Sequence, residues 1–353
     1  MPSPLQIDGI TRRTLLAGTG AVGALALTGD GSRAQAVSKI TVTSYGGIWE
    51  RAVRECFVSD FKKRMNIDAE VLIGGPPQWM SQIEANKDKP PIHVLVATPD
   101  SASVAFKSGI VEPITKEKVP NLVDIPQRFI DISYGHGAAF DYGAAGIAYN
   151  KDRIKDPPKS IKELVERTIK GEWRAGFPTI AFAPGAQAFI WSFADALGGG
   201  VDNLDPFFDA VKKMRKNVVF WTGVTDFLNL MDSGEVDIGI YYDGRTWAHY
   251  DTGKNYIGFI NPAEGAIMSP VCVMKVKNAP DIAWEYINSM LAPEPQAKFA
   301  KIMNFGVTNS KVQYDAVVKE RITPWDKTRW PPNEKIGELL PKWTERWNKE
   351  IGA

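Results

Sequence analysis

From residue 37 onward, short runs of alternating polar and apolar positions take turns with longer runs in which apolar residues recur at helical spacing. Lys39-Ile40-Thr41-Val42-Thr43-Ser44 alternates as a half-buried strand, and Ala52, Val53, Cys56, Phe57 and Phe61 mark one face of a helix over 49–65. The same signals predict strands at 67–73 and 93–97, with helices at 78–86 and 101–108, the second stopped by Gly109. A strand at 146–150 is placed to carry the chain into another domain. Ser160 and Glu163 form a capping box for a helix over 161–170, which Gly171 ends. Beyond it the pattern predicts strands at 179–182, 218–221, 236–242, 256–260 and 271–276. Helices are predicted at 186–197, 204–216, 224–231, 244–250, 281–291, 295–303 and 334–350. Alternation of this kind indicates an α/β protein with mostly parallel strands.

The first 36 residues stand apart from this pattern and read as an export signal. Arg12-Arg13 precedes an apolar stretch from Leu15 to Thr28, too short to span a bilayer, and Ala34-Gln35-Ala36 supplies a small-x-small cleavage site. The paired arginines resemble a twin-arginine signal, which directs the chain to the periplasm; with no cysteine after the apolar stretch, a soluble protein is expected there and not a lipid-anchored one. Gly18, Gly20 and Gly23 match the dinucleotide-binding fingerprint letter for letter, but no strand precedes them and the segment is cleaved off, so no cofactor is expected.

Composition narrows the class. A chain of 353 residues suggests about two domains at roughly 150 residues each. There are 42 Lys+Arg and 41 Asp+Glu. Removing Asp8, Arg12, Arg13, Asp30 and Arg33 with the signal takes away three positive and two negative charges and leaves 39 of each. So neutral a chain is not built around a nucleic-acid backbone. The two cysteines, Cys56 and Cys272, cannot form a metal motif; they read as two buried thiols, the alternative being one long-range disulfide.

Ligands of open α/β sheets bind outside the carboxyl ends of the strands, so the strand-to-helix turns are the places to search. Four stand out: Tyr45-Gly46-Gly47, Thr98-Pro99-Asp100, Ala183-Pro184-Gly185-Ala186-Gln187, and Tyr241-Tyr242-Asp243-Gly244-Arg245-Thr246-Trp247. Each sets an aromatic, small or polar residue beside free backbone N–H groups. Arg245 adds a fork for a carboxylate or phosphate, and Tyr45 and Tyr242 offer faces for an ammonium group, with Asp243 as its counter-charge. Each residue also has a plain structural role open to it, as a turn, a cap or a surface ion pair. Catalytic motifs are missing: no G-x-S-x-G, H-E-x-x-H, C-x-x-C or P-loop lysine occurs. His93 reads as a core residue, and His136 and His249 have no nucleophile or metal partner nearby in sequence. Trp325, Trp330, Trp343 and Trp347 read as packing residues.

The mature chain, Val37 to Ala353, resembles the periplasmic substrate-binding proteins of ABC transporters, specifically the spermidine/putrescine-binding group. The landmarks are Ser44-Tyr45-Gly46-Gly47, Val94-Leu95-Val96-Ala97-Thr98, Tyr142 to Asn150, Gly234 to Tyr241, Pro262-Ala263-Glu264-Gly265-Ala266, and Asn304-Phe305-Gly306-Val307-Thr308-Asn309. The resemblance implies the two-lobed periplasmic-binding-protein fold (type II), each lobe a mostly parallel sheet flanked by helices, with two hinge crossings. Lobe 1 would hold residues 37–142 and 265–308, and lobe 2 residues 143–264 and 309–353. It further implies a monomer, no enzymatic activity, and an inner-membrane permease as partner. The positions carried over as ligand contacts are Tyr45, Thr98, Asp100, Tyr142, Gln187, Tyr242, Asp243 and Asn309, to which Gly46 and Gly47 add their turn.

Two departures matter. Where polyamine binders carry a carboxylate after the E-G-G-like turn, this chain offers Ser269, and where they carry a small neutral residue it has Arg245. One carboxylate lost and one guanidinium gained argue for a small organic solute bearing a carboxylate or phosphonate together with an amine, such as an amino-acid derivative or opine-like compound. The alternatives are a polyamine binder, a ferric-ion binder using Tyr241 and Tyr242 as phenolates, and a secreted enzyme.

Overall fold

The computed structural model describes residues 38–182 and 185–352. The segment read as an export signal, the glycine pattern within it, and Ala183-Pro184 of the third turn lie outside the described residues. In chain order the elements are β1 (Lys39–Ser44), α1 (Ile48–Val53), α2 (Ser59–Met65), β2 (Asp68–Ile73), α3 (Pro76–Glu84), β3 (Val94–Ala97), α4 (Pro99–Lys107), α5 (Arg128–Asp131) and β4 (Gly137–Asn150). Then come α6 (Ile161–Ile169), β5 (Ala175–Pro178), α7 (Ala186–Ala196), α8 (Asp205–Met214), β6 (Val218–Trp221), α9 (Asp226–Ser233), β7 (Ile238–Tyr242), α10 (Asp243–Tyr250), β8 (Ile257–Ile260) and β9 (Ile267–Lys275). The chain closes with α11 (Ile282–Met290), α12 (Pro293–Met303), β10 (Gly306–Val307), α13 (Ala316–Arg321) and α14 (Asn333–Glu350). A π-helical turn over Arg54–Val58 joins α1 to α2, so the helix expected over 49–65 is continuous but locally unwound.

The strands run β2-β1-β3-β9-β4-β7-β5-β6, with β8 and β10 also on β4. Pairing is parallel at both outer ends, β2 with β1 with β3, and β6 with β5 with β7. Through the middle it is antiparallel. The 14-residue β4 makes the architecture two-lobed: its first part pairs with β9 and β10, and its second with β7 and β8. One strand thus belongs to both lobes. The capping box forms as expected, with Ser160 Oγ accepting from the Glu163 amide at 3.0 Å, while the Glu163 carboxylate returns to the Lys159 N–H at 2.8 Å.

Three strands differ from their sequence expectation, β9 by starting at Ile267, four residues before the 271 expected. The one expected at 179–182 lies at Ala175–Pro178, where the buried segment Ala-Gly-Phe-Pro pairs with β6 and β7 despite its weak strand propensity. The one expected from 146 starts at Gly137, because its small residues are recruited by neighbours on both sides and not by any β-branched run.

An aromatic cluster fixes the floor between the first lobe and the cleft. Trp49 meets Phe299 edge-on at 5.4 Å and Phe305 at 5.8 Å, and Phe57 stacks on Phe299 at 5.1 Å. Behind it, Gly306 faces the Tyr142 ring so closely that an added Cβ would sit 2.0 Å from it. Gly306→Ala is therefore expected to cost about 1–3 kcal/mol through overpacking. Gly337, in α14 with nothing within 4 Å of a new Cβ, is expected to gain up to ~1 kcal/mol on the same substitution. Urea denaturation of the two variants checks both signs.

Candidate functional site

At the carboxyl ends of the strands lies a cavity of about 200 Å³, lined by Tyr45, Gly46, Trp49, Gly74, Thr98, Gly143, Thr222, Gly223, Val224, Tyr242, Arg245, Ser269, Val271 and Phe305. Each side of it is delivered by an element end. β1 stops at Ser44, and Gly47, held at φ +73°, bends the chain into α1 so that Tyr45 and Trp49 stand together with ring centroids 5.4 Å apart. β3 hands Thr98 to α4, whose first residue is Pro99, the residue type whose fixed φ suits a first turn. β7 ends in Tyr242 and passes into α10, whose first turn carries Arg245; the Tyr242 carbonyl accepts the Thr246 hydroxyl at 2.8 Å and ties the turn down.

Of the side chains lining the cavity, Arg245 is the one with a formal charge. It pairs with no carboxylate among the described residues. The N-terminal ends of α1, α4, α9 and α10 all approach the same space, and their partial positive charges add to its field. Two polar atoms in the lining are buried without a hydrogen-bond partner among the described residues, the Tyr45 hydroxyl and Trp49 Nε1. Burial pushes the phenols of Tyr45 and Tyr242 well above their ordinary range, so both are neutral. The arrangement is a cationic, aromatic-walled chamber with hydrogen-bonding groups to spare, suited to holding an anion.

A smaller recess adjoins it and shares Thr98, Tyr242 and Ser269 with it. Asp100 and Gln187 lie there, joined by a hydrogen bond from Gln187 Nε2 to Asp100 Oδ2 at 3.1 Å that links α4 to α7. Burial raises the Asp100 carboxyl, while Thr98, Gln187 and the backbone amides of its own turn oppose that.

Six of the residues singled out from sequence thus meet at the chamber: Tyr45, Gly46, Thr98, Tyr242, Arg245 and Ser269. Asp100 and Gln187 meet next door, and Gly47 shapes the turn. Three sit elsewhere. Tyr142 lies on the far face of β4, stacked 5.6 Å from Phe129, because the strand turns successive side chains to opposite faces. Asn309 is committed to backbone and side-chain partners at Leu291, Gln296 and Lys311. Asp243 is 2% exposed and accepts from the amides of Ala144, Gly244 and Thr323 at 3.0, 2.7 and 3.4 Å. It staples β4 to α10 and to the segment after α13, and its burial pushes the carboxyl up to about 7 against the pull of those donors.

The sequence reading missed Trp49, Gly74, Gly143, Val271, Phe305 and the Thr222–Val224 loop. Trp49 follows Tyr45 by one helical turn and Phe305 sits in the Asn304–Asn309 loop, so both carried a positional signal. The tyrosine pair divides as strand geometry demands: Tyr242 faces the cavity, and Tyr241 is wholly buried with its hydroxyl donating to the Val224 carbonyl at 2.5 Å. Elsewhere, His93, expected in the core, is half-buried and accepts the Thr41 amide at 3.0 Å. Cys56 and Cys272 are both free and buried.

Residues 57–323 match the family described as bacterial extracellular solute-binding protein. A thiamine-binding periplasmic protein of Haemophilus influenzae is 26% identical over 247 residues, 66% of this chain and 69% of that protein. An extracellular solute-binding protein from Bordetella parapertussis superposes with a TM-score of 0.79 at 28% identity, covering 89% of this chain and 99% of that one. The periplasmic binding protein AgtB from A. tumefaciens, solved with agropinic acid, superposes at 0.72 with 19% identity, covering 90% and 99%.

Proposed function

Since this chain belongs to the bacterial extracellular solute-binding proteins, we propose that it is the periplasmic capture component of an ABC importer for a small organic solute bearing a carboxylate or phosphonate and an amine. The observation that carries this reading is the Arg245 guanidinium, unpaired among the described residues and set at the first turn of α10 among converging helix N-termini. An anionic group is its natural partner. The ammonium end is met by the faces of Tyr45 and Tyr242 and by Asp100 in the adjoining recess. An opine-like or amino-acid-derived compound has both ends, and the AgtB relative binds a carboxylic acid, agropinic acid.

Residues 37–142 with 265–308, and 143–264 with 309–353, would form the two lobes that close over the solute. Closure would shift an open–closed equilibrium that an inner-membrane permease reads, with the monomer delivered to the periplasm by the twin-arginine route. A polyamine fits poorly, because a guanidinium repels it, and the same holds for cationic thiamine. Ferric ion fits poorly because Tyr241 has given its hydroxyl to Val224.

Native mass spectrometry of the protein purified from the periplasm tests the class of ligand. A released compound with an acidic group is expected; putrescine, spermidine or bound iron would overturn the proposal.

A further inference from the structure

The hydrogen bond from Gln187 Nε2 to Asp100 Oδ2, 3.1 Å long, joins two helices that rise from opposite parts of the sheet. Asp100 is the second residue of α4, which follows β3, and β3 pairs with β1 and β9. Gln187 is the second residue of α7, which follows β5, and β5 pairs with β6 and β7. In the strand order β3 and β5 stand on opposite sides of β4, the strand that both lobes share. The bond therefore crosses the crevice from lobe to lobe; it does not stiffen either lobe by itself.

Its surroundings strengthen it. Gln187 is buried and Asp100 half-buried, in a recess of about 20 Å³ that has room for about one water molecule. Pro99 of α4 and Ala188 and Phe189 of α7 wall that recess from the two sides. A hydrogen bond to a carboxylate is worth more than one between neutral groups, and more again where little water competes for it. Moving the lobes apart separates α4 from α7 and hands both partners to water. The bond is thus made in the closed arrangement and lost in the open one, so it biases the equilibrium between them. It engages Oδ2 of Asp100 and leaves Oδ1 to the ammonium end of a solute.

We propose that Gln187 is a positioning residue and that its bond to Asp100 is a latch, which holds the lobes closed around the chamber and lets the protein visit that state before a solute arrives. This rests on the lobes closing as proposed above, and it holds whatever the charge of the solute. Without the latch the binding-competent fraction falls, and apparent affinity falls in proportion.

The test is double electron–electron resonance of the ligand-free chain, with spin labels on Lys107→Cys of α4 and Asp209→Cys of α8. Both positions are exposed, and the native Cys56 and Cys272 are buried. In Gln187→Ala the open population, at longer distances, is expected to gain on the closed one by about 10-fold, as expected for losing a hydrogen bond to a charged group. Asp100→Ala should do the same, and the double variant should open no further than either alone, because each removes the same bond. Asp100→Asn keeps an acceptor in place and is expected to stay closed as wild type does. Distances unchanged in Gln187→Ala, or opening that adds up in the double variant, would overturn the proposal. Failure of the anion reading looks different: Gln187→Ala still opens the lobes, but glutamate, used as the carboxylate probe, shifts the distances in neither protein.

Discussion

Arg245→Met is expected to weaken binding of a carboxylate-bearing solute by about 10- to 100-fold, the range implied by losing a charge-assisted hydrogen bond worth ~1.5–3 kcal/mol. Little loss of stability should accompany it, because Arg245 forms no ion pair with another described residue. Titration calorimetry with the solute, beside melting curves of both proteins, separates the two effects. A variant that melts like wild type yet binds as tightly would show that the anion is held elsewhere, with the helix N-termini as the remaining donors.

Asp243→Ala is expected to act in the opposite way, on the fold. Its carboxyl accepts three backbone amides contributed by β4, α10 and the segment following α13. Deleting the acceptor leaves those buried donors unsatisfied, at a cost of about 2–4 kcal/mol. The wild-type pH profile carries a second signature. Because the folded carboxyl is pushed up to about 7 from a usual value of 3.8, its contribution to stability is complete below the unfolded value and is lost as pH rises through 7. Melting temperatures should therefore decline between acid and neutral pH in wild type, and that part of the slope should vanish in Asp243→Ala. An equal slope in both proteins would assign it to another group, Asp100 first.

Much of this architecture was legible in the chain. β1 and β6 run where the alternation placed them, and the helices after β1, β3 and β7 begin within two residues of expectation, since their apolar spacing was clear. β5 and the first half of β4 were not, because Ala, Gly and Pro form strands there only under pressure from neighbours on both sides. The site followed the same division. Tyr45, Thr98, Tyr242 and Arg245 were found because strand-to-helix turns aim at the crevice by topology alone. Tyr142 and Asn309 belong to the far side of β4 and β10, a distinction that depends on which face a strand residue takes and so on a register the sequence does not display. Asp243 looked like a free carboxylate until three amides claimed it.

The central claim is that the cavity selects an anion through Arg245. Titration calorimetry of ligand-free protein against an opine-type amino acid, glutamate, putrescine and thiamine tests it most directly. Micromolar binding of a carboxylate-bearing compound, with no heat from putrescine or thiamine, is the predicted result. Tight binding of either cation, with none of the anionic compounds bound, would contradict it.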